Sequence, residues 1–229
     1  MNNKEIREKV KEALAENSKF ANRLGFFYWC ICFPFYLLGM VLPALSVLFS
    51  VFSTIGSTAL QESAMLFYRQ RKAEVLQSFL STLSKLFFKL VILMLVKCFI
   101  CLAWGAIFLV PAIAVLLLKL FPSAVLTYSI AAALTVIALI VMSIKSLSLS
   151  FSEFVLFDNP AFSVYEAVKK SQKMTKGYRA RVLLMSLHFV PLVAISFLCF
   201  GLPFIKIAPR FLVSNAGLYE EVKKRNGRN

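Results

Sequence analysis

Long apolar runs alternate along this chain with short clusters of positive charge, and the alternation predicts two kinds of helix. From Phe26 to Phe67 there is one charged residue, Glu62. That run is twice as long as one helix needs to cross a hydrocarbon core of about 30 Å. Two spans are therefore expected, near 26–42 and 45–67, with Pro43 at the break and Pro34 bending the first. Cys98 to Leu118 carries no charge and sits within a third expected span, 90–118, bent by Pro111 and closed by Lys119 and Pro122. Ser123 to Phe157 holds only Lys145 and Glu153. As one helix it would be about 50 Å long, so a span at 124–157 must tilt, break near Ser143–Ser152 or leave the bilayer as an arm. Val182–Phe200 and Phe204–Tyr219, joined through Gly201-Leu202-Pro203, form a last hairpin with spans near 182–200 and 202–219.

The second kind is amphipathic. In residues 1–25, Ile6, Val10, Ala13 and Leu14 recur at helical spacing among charges, as in a helix lying on a membrane surface on the cytoplasmic side. Between Ala73 and Leu90, residues Leu76, Phe79, Leu83, Leu86 and Leu90 form one stripe opposite Gln77, Ser78, Lys85 and Lys89. This reads as an interfacial helix leading into the third span. The loop 158–181 holds a basic helix that Gly177 is expected to end, with Lys173 and Lys176 in its last turn, where cations suit the helix dipole. Residues 220–229 read as a basic tail.

Composition agrees with a membrane protein. Of 229 residues, 59% are hydrophobic and 16% charged, against about a quarter charged in soluble domains, and the mean hydropathy is +0.77. The net charge of +15 would point to nucleic acid in a soluble protein, but here the cations cluster between apolar runs, where cytoplasmic loops meet anionic head groups. Four clusters, in 1–25, 69–89, 169–181 and 223–228, hold all basic residues except Lys97, Lys119, Lys145, Lys206 and Arg210. The positive-inside rule then places both termini in the cytoplasm. The expected fold is all-α: a polytopic membrane helix bundle over 26–219 with about six transmembrane helices, multi-pass in the cytoplasmic (inner) membrane. No nucleic-acid partner is expected.

Cys30, Cys32, Cys98, Cys101 and Cys199 all lie in apolar runs. Without a second CxxC or a neighbouring His, Cys98 and Cys101 read as small buried hydrophobes rather than as a metal or redox pair, and no disulfide framework is implied. The charged first 25 residues do not resemble a cleavable signal, so Phe26 onward is read as a retained span.

Asp158-Asn159-Pro160, Glu166, Ala167, Ser171, Met174, Gly177 and Arg181 recur in the order and spacing of a bacterial family of six-helix membrane proteins, a domain-of-unknown-function family, and the chain resembles it. The closing segment from Pro209 to Tyr219 and Glu220, the Trp104 and Val110-Pro111 of the third span, and Lys145 thirteen residues before Asp158 are similar to that family's pattern as well. That family in turn is similar to the membrane-embedded domain of glycerophosphodiester phosphodiesterases. The resemblance implies six membrane helices and no catalytic residues, since the soluble catalytic barrel of those enzymes has no counterpart here.

Charged or titratable groups inside apolar spans are the places to look for function, because burying them unpaired costs several kcal/mol. Lys97, Lys145, Glu153 and His188 are the candidates, with Ser146, Ser148, Ser150 and Ser152 between two of them. Lys169, Lys170, Lys173, Lys176, Arg179 and Arg181 are candidates for contact with anionic lipid or a partner. No Walker loop, HExxH or GxSxG is present, so neither enzyme chemistry nor a cofactor or metal is expected. The expected role is a non-enzymatic scaffold or partner-binding component of envelope processes, binding membrane lipids and a protein partner or a second copy of itself. The alternative is a small transporter or lipid-handling protein using a polar cavity around Lys145 and Glu153.

Overall fold

The computed structural model describes residues 2–42, 45–69, 74–118, 123–198 and 202–227, which are helical almost throughout. In order they form α1 (Asn3–Glu16), α2 (Ser18–Val41), α3 (Ser46–Tyr68), α4 (Val75–Leu118), α5 (Ala124–Ser148), α6 (Ser152–Asp158), α7 (Val164–Thr175), α8 (Arg179–Leu198) and α9 (Phe204–Asn226). The expected breaks at Pro43, at Lys119–Pro122 and at Gly201, as well as Cys199, lie outside the described residues. Pro34, Pro111, Pro191 and Pro209 all sit inside helices, which membrane helices accommodate.

Several boundaries differ from the pattern-based expectation. The interfacial segment and third span are one helix of 44 residues, about 66 Å long at 1.5 Å per residue, because nothing between Val75 and Leu118 breaks the backbone except Pro111. The first 25 residues split at Asn17 into α1 and the opening turns of α2. The tail does not leave the fold either. Helix α9 continues to Asn226 because Val222 is fully buried and Asn226 Nδ2 donates to the carbonyl of Met174 at 3.2 Å.

Two stretches, Val75–Leu117 and Ala124–Asp158, are long and apolar enough to cross a membrane, and only 17% of the most apolar window of each is buried. A core helix of a soluble bundle would be mostly covered, so these two have their apolar faces outward. Phe88 and Leu117 on α4 and Val125 on α5 are each more than 75% exposed.

The core lies elsewhere, at the basic end of the bundle. Its largest fully buried side chains include Ile6, Leu24, Leu60, Leu93, Leu149, Phe151, Met185, Leu212 and Tyr219, drawn from the polar-facing ends of α1–α4, α8 and α9 and from the turn after α5. Helix α1 differs from the expectation of a surface helix with lipid beneath it. Its stripe of Ile6, Val10 and Leu14 is buried in this core, packed chiefly on α9. Tyr219 stacks on Phe154 (ring centroids 5.2 Å apart) and meets Phe151 edge-on at 5.6 Å, joining α9 to α6. At the other contact of α9, Gly25 lets α2 come so close that a Cβ there would sit 1.8 Å from the carbonyl oxygen of Ile205.

Candidate functional site

The basic end is fastened by one carboxylate. Asp158 is the last residue of α6, its side chain is 6% exposed, and both oxygens are taken. Arg69, at the end of α3, donates to Oδ1 at 2.5 Å. Tyr219 and Lys223 of α9 donate to Oδ2 at 2.5 and 2.6 Å. The Arg69 guanidinium also bridges to Glu220. Three helices separated by up to 151 positions in sequence thus meet at two acids, two cations and a phenol. With an arginine, a lysine and a phenol all donating to it, the Asp158 carboxylate ties α3, α6 and α9 together as a clasp.

The residues around Asp158 serve the same joint. Helix α5 ends at Ser148 and the chain turns through Leu149–Phe151 before α6, so the carbonyl of Ser148 needs a donor from outside its helix. Ser171 and Thr175 of α7 supply it, each hydroxyl donating at 3.1 Å, while Ser171 Oγ accepts from the Phe151 amide at 3.2 Å. Asn159 accepts from the Phe162 amide, and Lys89 of α4 donates to the carbonyls of Pro160 and Phe162 at 2.5 and 3.2 Å. Ser163 and Glu166 form a capping box at the start of α7, with the Ser163 amide donating to the Glu166 carboxylate at 2.8 Å. Those hydrogen bonds hold the exposed Glu166 carboxyl below its usual range. Gly177, at φ +88°, turns the chain out of α7 after Lys176 in a left-handed conformation that a side chain would strain. Met174, Pro209 and Tyr219 are buried.

The charged residues of the apolar runs do not form one site. Lys97 of α4 and Glu153 of α6 meet at 2.5 Å and line a cleft of about 240 Å³ with Thr54, Thr58, Leu93 and Ser146. Lys145 instead lies over the Trp104 ring, 3.6 Å from its centroid, a cation–π contact between α5 and α4. His188 is exposed on α8 and lines a separate groove with α1. Of the basic residues assigned to lipid or partner contact, Lys169, Lys170, Lys173, Lys176 and Arg179 are exposed, and Arg181 is half-buried against α1, where Asn3 Nδ2 donates to its carbonyl at 2.8 Å. Lys169 and Lys170 also lie over the rings of Tyr165 and Phe162.

Among the described residues no three His, Cys, Asp or Glu groups stand together as a metal site would require. Cys98 is exposed and Cys101 half-buried, so the first of these is not the buried small hydrophobe expected. It lines the cleft beside Lys97 and Glu153, together with Cys101. Sequence reasoning had no means of finding Arg69, Lys89, Glu220 or Lys223 as partners of the Asp158 segment. Each lies in a charge cluster explained equally well by topology, and only the fold brings them together.

No curated protein and no solved structure matches the chain. The model of a family of proteins of unknown function, DUF975, matches residues 1–226, nearly the whole length and all of the joint around Asp158. The chain is a member of the DUF975 family.

Proposed function

We propose that this protein is a multi-pass component of a bacterial cytoplasmic membrane, with about six spans and both termini in the cytoplasm, acting there as a non-enzymatic scaffold. The observation that carries the reading is the division of the surface. Apolar side chains face outward along α4 and α5, whereas the packed core, the Asp158 clasp and the exposed lysines of α7 gather at the basic end. Lipid is the solvent that suits the first surface, and a charged aqueous face beside anionic head groups suits the second. A rigid joint presenting Lys169, Lys170, Lys173 and Lys176 is built for holding a lipid surface, a protein partner or a second copy of the chain.

The second reading, transport or lipid handling, draws on the Lys97–Glu153 pair, because a paired charge facing a cleft in an apolar run is how a substrate path begins. Against it, Lys145 and His188 turn elsewhere. The orientation is tested with Lys9→Cys and Asn226→Cys variants in intact cells, both positions being exposed. A membrane-impermeant maleimide should label neither until the membrane is opened, and labelling from outside defeats the topology. The scaffold role is tested in proteoliposomes. Solute movement that Lys97→Ala or Lys145→Ala abolishes would replace it with transport, and partners that co-purify in mild detergent and are lost on neutralising the α7 lysines would support it.

A further inference from the structure

A groove of about 460 Å³ runs between α1 and the first half of α8, with Lys4 and Arg7 on one wall and Arg181, Leu184, Leu187 and His188 on the other. Its walls are held in register by Asn3, whose amide donates to the Arg181 carbonyl at 2.8 Å and accepts from Arg181 Nε at 3.4 Å. Among the described residues no carboxylate lines it. Lys4 meets Glu8 only at 3.9 Å, with both side chains largely in solvent. The Arg181 guanidinium lies over the Tyr178 ring. No ion pair among the described residues engages Arg7.

The groove also has a position. His188 lies nine residues beyond Arg179, about 14 Å along α8 at 1.5 Å per residue, within the apolar run that begins at Val182, so the groove leads from the basic end into that run. Leu184 and Leu187, on the same helix and in the same groove, are more than half exposed. A soluble anion would find use for the cations and none for the leucines. A molecule with a negatively charged head joined to a hydrocarbon chain matches both, since a guanidinium fork binds phosphate oxygens through charge-assisted bonds and exposed leucines gain from an apolar cover.

We propose that this groove seats the phosphate of an anionic membrane lipid, with Arg7 as its donor, Lys4 at the rim on the basic side, and the acyl chain passing Leu184 and Leu187 towards His188 and the apolar end of α8. The site rests on the membrane residence proposed above and deepens it by giving the lipid contact an address other than the α7 lysines. The test uses the full chain in mild detergent, titrated with phosphatidylglycerol and with phosphatidylcholine and read by native mass spectrometry. Phosphatidylglycerol should bind about tenfold more tightly, and Arg7→Gln should remove most of that preference, as expected for loss of one charge-assisted bond. Arg7→Lys, which keeps the charge, should restore binding to within a few fold, and Lys169→Gln with Lys173→Gln should change it by less than about twofold, since exposed charges contribute little. Parent-like binding by Arg7→Gln overturns the site. Displacement of the lipid by an equal concentration of inorganic phosphate or glycerol 3-phosphate also overturns the lipid assignment, in favour of a soluble anion. Alkaline extraction of membranes separates the two readings. Release of the protein into the soluble fraction would remove membrane residence and the site together, whereas a retained protein insensitive to Arg7→Gln removes the site alone.

Discussion

Replacing Asp158 by alanine tests whether the joint at the basic end is held as described. The substitution takes three donors' acceptor away at once, and their costs differ. Tyr219 is 1% exposed, so its hydroxyl is left buried without a partner, a loss of about 1–3 kcal/mol. Arg69, with a side chain 22% exposed, retains Glu220, so its loss is nearer about 1 kcal/mol. The Lys223 side chain is 48% exposed, and solvent screening reduces its share to about 0–1 kcal/mol. The sum is about 3 kcal/mol, which for a chain of this length lowers the melting temperature by about 6–12 °C. Asp158→Asn should cost nearly as much, because its amide would point a donor at Arg69 or Tyr219. The assay is equilibrium unfolding in mixed micelles followed by circular dichroism, with Lys223→Ala as the mild control. A cycle with Tyr219→Phe should show a coupling of about 1 kcal/mol or more. A shift below about 2 °C for Asp158→Ala, or strict additivity with Tyr219→Phe, would refute the clasp.

Gly25→Ala should destabilise by about 1–3 kcal/mol, because its methyl meets the Ile205 backbone, whereas a Cβ at Gly227 would meet nothing closer than 3.5 Å and Gly227→Ala should cost less. A reversed order in thermal unfolding would mean that α2 and α9 are not packed as closely as described. Lys97→Met strands the Glu153 carboxylate and should cost about 3 kcal/mol, most of which Lys97→Met with Glu153→Gln should restore, by the same unfolding assay. Equal losses in single and double variants would show the pair to be incidental. For Glu166, a carboxyl lowered by hydrogen bonds from Ser163 adds stability that is present above its unfolded value and lost as the pH falls through its folded one. Amide exchange at Val164–Glu166 should therefore quicken, relative to Glu166→Gln, as the pH drops below about 4. Exchange that stays parallel to the glutamine variant would dismiss the cap.

The helices themselves were legible because apolar runs and charge clusters are local signals, and α3 and α8 fall close to the expected spans, while α5 stops at Ser148, nine residues short of the expected 157. What sequence periodicity could not supply was the partner of each face. The 6-10-14 stripe of α1 announces a buried side but is silent on whether lipid or α9 covers it. The Asp158 clasp was invisible for a related reason. Arg69 stands 89 residues away in a cluster whose charge the topology rule already explains, and Ser171 is a single hydroxyl on a basic helix until the turn after Ser148 is brought beneath it. Lys97 and Glu153 did carry a signal, as opposite charges in apolar runs, but Lys145 carried the same one and found an aromatic ring instead.

The packing of α1 on α9 has a consequence for the order in which the protein is made. Roughly 190 residues separate the two helices, so at about 5–20 residues per second α1 waits on the order of 10–40 s for its final cover. During that interval Ile6, Val10 and Leu14 have at most α2 and then α8 beside them. The stripe that ends as core is completed only when α9 arrives to cover it.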